Sequence, residues 1–243
     1  MDRNPAVRRQ VENQIGNLIL RGLPQKQCTQ LFSSMELVRL QPRQVMHEAG
    51  ETIRSGYFLN DGLVSVLMVQ PNGEAVEVCL IGKEGFVGLP VICGFRTSGV
   101  RVVTQVEGTA YRVDVDTLRR ILPQCTELES QLHHFSMFVA MESMQMAACN
   151  RLHNVEERLA SKLLMSQERI GGKTLPFTQK FLAQMLGIRR SGVTIAAGIL
   201  QKAGMIEYSR GNVTIVNKGK LEEAACDCFQ IIQRQKNKWQ AET

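Results

Sequence analysis

The feature that most limits the possible fold is a change of hydrophobic period near residue 116. Before this point, apolar and polar residues alternate in six short segments, with glycines between or beside them. The segments are Leu37–Leu40, Tyr57–Leu59, Leu63–Leu67, Val76–Leu80, Val100–Val103 and Ala110–Val113. A period of two predicts half-buried strands, and the Pro71-Asn72-Gly73 step between two segments predicts a hairpin. Several short strands at this spacing favour an antiparallel β-roll or barrel.

After residue 116 the period becomes helical, and the longest helical stretch runs from Thr126 to Cys149 without glycine or proline. We expect Thr126 to cap this helix. Apolar residues recur at spacings of 4, 3, 4 and 7, which is typical of a coiled-coil seam. The predicted seam, which should form a dimer contact, consists of Leu128, Leu132, Phe135, Val139 and Met146. A second apolar side suggests that the helix contacts both its own domain and another chain, and burial wholly within its own domain is the alternative.

The last third of the chain is a series of short elements. Asn154 is expected to cap a helix that Gly171 and Gly172 end. Two further helices are predicted at 178–186 and 191–203, with a tight turn at Gly187 between them. Two short strands with a turn at 210–212 and a last helix from Lys220 to about Gln235 complete the region. This order predicts a winged helix-turn-helix, and a three-helix packing motif that does not bind DNA is the alternative.

Charge is distributed unevenly along the chain. Residues 1–150 carry 14 Lys and Arg against 15 Asp and Glu, whereas residues 151–243 carry 15 against 8. A basic module attached to a nearly neutral one is the pattern expected of a nucleic-acid-binding protein. A merely solvated basic surface would give the same count.

Seven residues of the helix-turn-helix and wing are candidates for contacting DNA. A recognition helix presents its N-terminal residues to base edges, where arginine can bind guanine through two hydrogen bonds. Residues at the wing tip and at the start of the preceding helix are suited to phosphate contacts. The candidates for base edges are Arg189, Arg190, Ser191 and Thr194, and those for phosphates are Thr178, Gln179 and Arg210.

Three stretches, Gly56–Leu67, Ile81–Gly88 and Phe181–Leu200 with its wing, make the chain resemble the cyclic-AMP receptor protein/FNR (Crp/Fnr) family of transcription regulators. The resemblance spans nearly the whole chain, and the helix-turn-helix is its most specific part. It implies a homodimer on a near-palindromic double-stranded DNA site, an effector or partner at the roll, and RNA polymerase as a further partner. It also implies that Arg190 reads a base.

The sequence departs from this family at the expected effector pocket. In members that bind a cyclic nucleotide, a glutamate after the hydrophobic-x-Gly element binds the ribose hydroxyl, and an arginine followed by Ser or Thr binds the phosphate. Here Gly88 is followed by Leu89 and Pro90, so the glutamate is absent. Arg96 and Arg101 are candidate phosphate ligands without the family's spacing. The small-molecule effector is therefore unknown.

Several other classes of function are not favoured. His47 is the only histidine in the roll, which argues against a cupin-type metalloenzyme, and Cys28 alone cannot supply an N-terminal iron–sulfur cluster. Cys226 and Cys228 are a weak metal signal, because residues two apart on a helix point away from each other. We therefore expect no catalysis, metal or cofactor. No apolar run approaches roughly 18 residues, so we expect a cytoplasmic protein without a membrane partner.

Together these patterns predict an α+β protein with three parts. Residues 1–122 would form an N-terminal helix and antiparallel β-roll, 123–153 a dimerisation helix, and 154–243 a winged-helix DNA-binding domain. The predicted function is that of a dimeric, sequence-specific transcription regulator. The alternative is a ligand-sensing module whose basic domain contacts protein or RNA instead of promoter DNA.

Overall fold

The computed structural model of the chain describes residues 15–24 and 31–242. The N-terminal segment, which is predicted to contain a helix, lies mostly outside these residues, as does Cys28. Its described end contains a one-turn helix, α1 (Leu18–Arg21), and the side chain of Asn17 caps this helix by accepting a hydrogen bond from the backbone N–H of Leu20.

The first domain is a β-roll of two four-stranded antiparallel sheets, with strand orders β1-β8-β3-β6 and β2-β7-β4-β5. The strands are β1 (Met35–Leu40), β2 (Val45–His47), β3 (Ser55–Leu59), β4 (Leu63–Val69), β5 (Ala75–Ile81), β6 (Phe86–Val87), β7 (Arg101–Val106) and β8 (Gly108–Asp114). All six predicted segments are strands, and the predicted hairpin joins β4 to β5. The strands β2 and β6 were not predicted, because two or three residues are too few to show alternation.

The core of the roll lies between the two sheets, where Phe58 and Phe86 are fully buried with ring centroids 4.6 Å apart. The ring of Phe86 also occupies the space beside Gly56, where a Cβ would approach it to 2.4 Å. Two short helices follow strands of the roll, α2 (Leu89–Ile92) and α3 (Val115–Ile121).

The long helix α4 (Thr126–Leu152) has 27 residues and crosses from the roll to the C-terminal domain. It starts one residue before the predicted position: Cys125 is the cap, it makes no side-chain capping hydrogen bond, and Thr126 is already helical. The predicted seam mostly faces the chain's own interior, against β5 and neighbouring helices. Its buried members are Leu128, Leu132, Phe135 and Met146, and Val139 is only partly buried.

The C-terminal domain contains the helices α5 (Val155–Ile170), α6 (Gln179–Leu186), α7 (Arg190–Lys202), α8 (Lys218–Ala224) and α9 (Cys228–Glu242). Its strands β9 (Thr174–Leu175), β10 (Ile206–Ser209) and β11 (Asn212–Ile215) form one sheet in the order β10-β11-β9. The predicted caps are confirmed: Asn154 forms a capping box with Glu157, and Gly171 ends α5 with φ of 81°. The predicted single last helix is wrong, because the chain leaves helical geometry at 225–227.

None of the helices in the described ranges is both long enough and apolar enough to cross a bilayer.

Candidate nucleic-acid interface

Helices α6 and α7 form a helix-turn-helix whose turn depends on one glycine. Gly187 has φ of 64°, in the left-handed region that favours glycine, and its N–H donates to carbonyl groups at the end of α6. The two helices then pack through Leu182, Val193 and Leu200, none of which is more than 1% exposed. This packing buries one side of α7 and leaves the opposite side open to solvent.

The first turns of α7 carry the residues predicted to read bases. The exposed polar side chains there are Arg189, Arg190, Ser191 and Thr194. Arg189 is the cap residue and Arg190 begins the helix, so both guanidinium groups extend from its N-terminal end. Within the described ranges, neither arginine forms an ion pair, so both charges are available to a ligand.

Two apolar side chains extend the same exposed side of α7, and sequence reasoning missed them. Ile195 is 62% exposed and Ile199 is 47% exposed. In an amphipathic helix an isoleucine is normally interpreted as a core residue, so these two residues were not predicted to contact DNA. An exposed apolar residue on a recognition helix can contact the methyl group of thymine.

The predicted phosphate-contacting residues lie around this surface. The hydroxyl of Thr194 lies 3.4 Å from the side-chain oxygen of Gln179, and Thr178 caps α6 by accepting a hydrogen bond from a backbone N–H of its first turn. A Cβ on Gly211 would lie 3.5 Å from Thr178, so the wing turn is adjacent to the start of α6. Arg210 occupies that turn with φ of 49° and is exposed. The structure thus gathers the start of α6, the start of α7 and the wing on one side of the domain.

In the roll, Gly88 and Leu89 lie where strand β6 passes into helix α2. Gly88 has φ of 121°, and a Cβ there would lie 3.2 Å from the ring of Phe86 and 3.3 Å from Gly56 Cα. Leu89 is the first residue of α2 and presents an apolar, partly buried side chain. This corner of the roll is therefore closely packed and apolar.

The two candidate phosphate ligands of the roll are held elsewhere. The Arg96 guanidinium binds Asp116 at 2.5 Å, and that of Arg101 binds Glu48 at 2.6 Å. Both ion pairs are partly exposed and therefore weak. No hydrogen bond in the described part of the chain brings either arginine to Gly88 or Leu89.

Comparison with family models gives two matches. Residues 37–125 match the cyclic nucleotide-binding domain, and residues 157–224 match the Crp-like helix-turn-helix domain. The two ranges together cover well over half of the chain and occur in the order of the observed fold. The chain belongs to the Crp/Fnr family of transcription regulators. It is a DNA-binding regulator with an effector-type domain, and the family is not enzymatic.

Solved structures share the fold of this Crp/Fnr regulator at low identity. FixK2 from Bradyrhizobium japonicum aligns with a TM-score of 0.69 and 12% identity over 79% of this chain and 98% of its own. A protein from Eubacterium rectale, described as a transcriptional regulator of the crp/fnr family, aligns with a TM-score of 0.68 and 16% identity over 85% of this chain and 97% of its own. The c-di-GMP responsive global regulator CLP from Xanthomonas campestris aligns with a TM-score of 0.67 and 15% identity over 79% of this chain and 99% of its own. Among curated proteins, none matches the sequence significantly.

A buried ion pair joins the two domains of this Crp/Fnr regulator. Lys162, on α5, lies 2.9 Å from Glu77, on β5, and the side chains are 6% and 0% exposed. The second carboxylate oxygen of Glu77 accepts a hydrogen bond of 2.6 Å from Ser65. Because both charges are buried, removing either partner would leave the other charge in the interior without a counter-charge, which is strongly destabilising.

A second buried group of charges surrounds Arg169, also on α5. Its guanidinium binds Glu84 of the roll and Glu142 of α4, each at 2.8 Å. Burial opposes ionisation of Glu84, but Arg169 and backbone hydrogen bonds outweigh it and lower its pKa. Burial raises the pKa of Glu142 more than Arg169 lowers it. One oxygen of Glu142 has no hydrogen-bond partner within the described residues.

The roll also touches the helix-turn-helix directly. A Cβ on Gly187 would lie 3.0 Å from a methyl group of Val76, so strand β5 packs against the turn between α6 and α7. Glu77, the next residue of β5, holds Lys162. The effector-type domain and the DNA-binding domain therefore meet along β5 and at Glu84, in the turn that follows this strand.

Sequence reasoning also missed a group of cysteines and one histidine at the end of α4. Cys149 and His153 lie beside Cys226 and Cys228, and their four ligating atoms are within 4.8 Å of one another. A hydrogen bond from the Cys149 thiol, together with one from Ser161, lowers the pKa of Cys226 to about 5 against the opposing effect of burial. Two-residue spacing was a poor signal because the chain is not helical at Cys226.

Proposed function

We propose that this regulator binds a near-palindromic DNA site as a homodimer and reads the sequence with α7. The observation that carries this proposal is the exposed N-terminal end of α7, where Arg190 forms no ion pair with any described residue. In this proposal Arg189, Arg190, Ser191 and Thr194 contact base edges. Ile195 adds an apolar contact to thymine.

The neighbouring elements supply contacts that hold the helix in register. Thr178 and Gln179 lie at the start of α6, beside the wing turn that carries Arg210. Side chains there, and the backbone N–H groups at a helix start, suit phosphate oxygens. These contacts would position the protein without distinguishing bases, whereas those of Arg190 would distinguish them.

The dimer contact is proposed on the exposed side of α4 instead of the buried seam. Leu128 and Leu132 are fully buried within one chain, so they are not available to a second chain in this conformation. Met137, Met144 and Leu152 are 56%, 64% and 73% exposed, at spacings of seven and eight residues. Large apolar side chains repeated along one helix side favour pairing with the same helix of another copy. Two recognition helices would then lie about 34 Å apart, one turn of DNA.

We further propose that the roll does not bind a cyclic nucleotide. Leu89 offers no acceptor for a ribose hydroxyl, and Arg96 and Arg101 are each engaged by a carboxylate. The roll then acts on α5 through Glu77 and Glu84, in response to another ligand or to a protein such as RNA polymerase. The proposed units are 1–122, 123–153 and 154–243, and the proposed place of action is the cytoplasm.

The direct test is selection of binding sites from random duplex DNA, followed by fluorescence anisotropy with the selected site, scrambled duplex and single-stranded RNA. We expect a two-fold symmetric selected site that binds at least a hundredfold more tightly than scrambled duplex, in line with specific regulators. Equal affinity for all three nucleic acids would overturn the proposal and favour a basic domain that contacts RNA or protein.

A further inference from the structure

Four side chains with metal-binding atoms meet where the long helix ends. Cys149 and His153 are one turn apart at the C-terminal end of α4, and Cys226 and Cys228 flank the start of α9. All four ligating atoms lie within 4.8 Å of one another. We propose that these residues bind one Zn²⁺ ion in a closed tetrahedral Cys₃His site. None of these four residues is among those proposed to contact DNA or among the candidates for the effector pocket.

The distances suit one metal ion. Tetrahedral bonds of about 2.3 Å to sulfur and about 2.0 to 2.1 Å to nitrogen place two sulfurs about 3.8 Å apart, and a sulfur and a nitrogen about 3.5 Å apart. The Sγ atoms of Cys149 and Cys226 are 3.5 Å apart, as are Cys228 Sγ and His153 Nδ1. An iron–sulfur cluster holds several metal ions between its ligands and therefore needs thiolates spread more widely.

Polar groups behind the cysteines suit metal-bound thiolates. The side-chain N–H of Gln145 lies 3.1 Å from Cys228 Sγ, and the hydroxyl of Ser161 lies 3.1 Å from Cys226 Sγ. Groups in this outer position orient ligands and tune the metal. Cys149, Cys226 and Cys228 are also at most 5% exposed, which leaves no open position for a substrate. These features favour a structural zinc site over a catalytic one.

The interruption between α8 and α9 is explained by the same site. Along one continuous helix, side chains two residues apart point in different directions. Here the chain is irregular from 225 to 227, and both Cys226 and Cys228 reach the end of α4. The backbone N–H of Cys226 also donates to the carbonyl of Glu157, near the start of α5.

The metal would fasten the DNA-binding domain to the dimerisation helix. Cys149 and Cys226 are 77 residues apart in sequence, and the segment between them contains the whole helix-turn-helix and wing. A metal bond across so long a loop restricts the unfolded chain, and the binding free energy adds to that of folding. Removal of zinc is therefore expected to lower stability and to loosen α9 from α4.

The experiment uses the full-length protein, purified under reducing conditions, with zinc measured by inductively coupled plasma mass spectrometry. We expect about one Zn²⁺ per chain in the wild type and less than a tenth of that in Cys226→Ser and His153→Ala. The matched control is Cys125→Ser, which changes a buried cysteine outside the group and should retain zinc. The zinc content does not depend on DNA binding, so the failure of this proposal and the failure of the DNA-binding proposal can be distinguished.

Should the variants fail to fold, the wild type alone provides the test. Zinc is removed with a chelator and replaced by Co²⁺, whose absorption distinguishes tetrahedral thiolate ligation from octahedral oxygen ligation. A thiolate-to-cobalt charge-transfer band with intense tetrahedral bands supports the proposal. It is overturned by a wild type without stoichiometric zinc or thiolate-bound cobalt, by zinc that survives both substitutions, by a Cys149–Cys226 disulfide found under reducing conditions, or by the visible absorption of an iron–sulfur cluster.

Discussion

The ammonium group of Lys162 lies 2.9 Å from the carboxylate of Glu77, and this buried ion pair connects α5 of the DNA-binding domain to β5 of the roll. The two residues are 85 positions apart in sequence. Because β5 also packs against the turn at Gly187, a displacement of this strand would reach the DNA-binding domain at two points, α5 and the turn of the helix-turn-helix. The pair is thus a direct physical connection between the effector-type domain and the domain that binds DNA.

Replacing Glu77 by Gln should lower the free energy of unfolding by about 3–5 kcal/mol, because the charge of Lys162 stays buried without its partner. Urea unfolding followed by circular dichroism measures the change. The double variant Glu77→Leu/Lys162→Met should recover most of the loss, since it removes both charges. Glu222→Gln, which breaks the exposed pair with Lys218, is the matched control and should cost less than about 1 kcal/mol. Equal losses in Glu77→Gln and Glu222→Gln would contradict this account.

Arg190→Ala should weaken binding to the selected DNA site by about 1–3 kcal/mol and relax the preference at one base pair in each half-site. The physical reason is the loss of a base contact at the start of α7. Anisotropy titrations with a panel of single-base variants measure it. Arg39→Ala, which removes an exposed arginine from β1 of the roll, serves as the control. A loss as large on random duplex as on the selected site would exclude base reading by Arg190.

Arg210→Ala should weaken binding to all duplexes by a similar factor. A phosphate contact releases counterions. The variant should therefore also reduce the magnitude of the slope of log affinity against log salt concentration by about 0.9, the value for one phosphate contact. Titrations at several salt concentrations, on selected and scrambled duplex, test the prediction. A loss confined to the selected site would instead give Arg210 a part in base reading.

If the proposed dimer forms through α4, Met144→Glu should make the protein monomeric at micromolar concentration, because the contact would bury a charge without a partner. Analytical ultracentrifugation measures the mass. The control is Met68→Glu, since Met68 is 43% exposed on β4 and lies outside the proposed contact. A Met144→Glu protein that stays dimeric would place the contact on another surface.

Cyclic AMP and cyclic GMP should not bind with a low micromolar or tighter dissociation constant. A ribose hydroxyl against Leu89 would be buried without a partner, which costs about 1–3 kcal/mol, or roughly 5- to 150-fold in affinity. Isothermal titration calorimetry with both nucleotides is the measurement. Low micromolar binding that Arg96→Ala or Arg101→Ala abolishes would show that the roll holds a nucleotide site after all.

Stability should fall as the pH drops below about 6.5, partly through His47. Burial lowers its pKa below the ordinary 6.5, against the opposing charges of Glu51 and Glu48, and both ring nitrogens lack partners within the described residues. Between the lowered pKa and 6.5 the unfolded chain binds more protons, so stability is present above 6.5 and is lost below it. Thermal unfolding between pH 7.5 and 5 should show a smaller loss for His47→Gln than for wild type. His133→Gln, at an exposed position, should keep the wild-type profile.

The elements of both domains were predictable because their signals are local. The alternation of apolar and polar residues predicted six strands of the roll. The cap at Asn154 and the glycine at 171 predicted the two ends of α5, and Gly187 predicted the turn of the helix-turn-helix. Each of these depends on side chains within a few residues, which interact in the same way in many proteins. The very short strands and the break between α8 and α9 lack such signals.

The orientation of α4 could not be predicted in the same way. Its sequence carries apolar residues on two sides, and the spacing alone favoured Leu128, Leu132 and Phe135 as members of the dimer seam. In the structure those residues are buried within the chain, and Met137 and Met144 are exposed. Which side faces inward depends on the surfaces of β5 and the neighbouring helices, and those surfaces exist only after the roll and the C-terminal domain have packed.

The sequence by itself determined the order of roll, long helix and winged helix, the basic character of the last third, and the residues that begin the recognition helix. Periodicity, glycine positions and charge are properties of neighbouring residues and need no partner from elsewhere. Only the tertiary structure decided that Lys162 meets Glu77 and that Cys149 and His153 meet Cys226 and Cys228. Contacts between residues about 80 positions apart follow from how whole elements pack, because burial and close packing act on complete surfaces and not on single spacings.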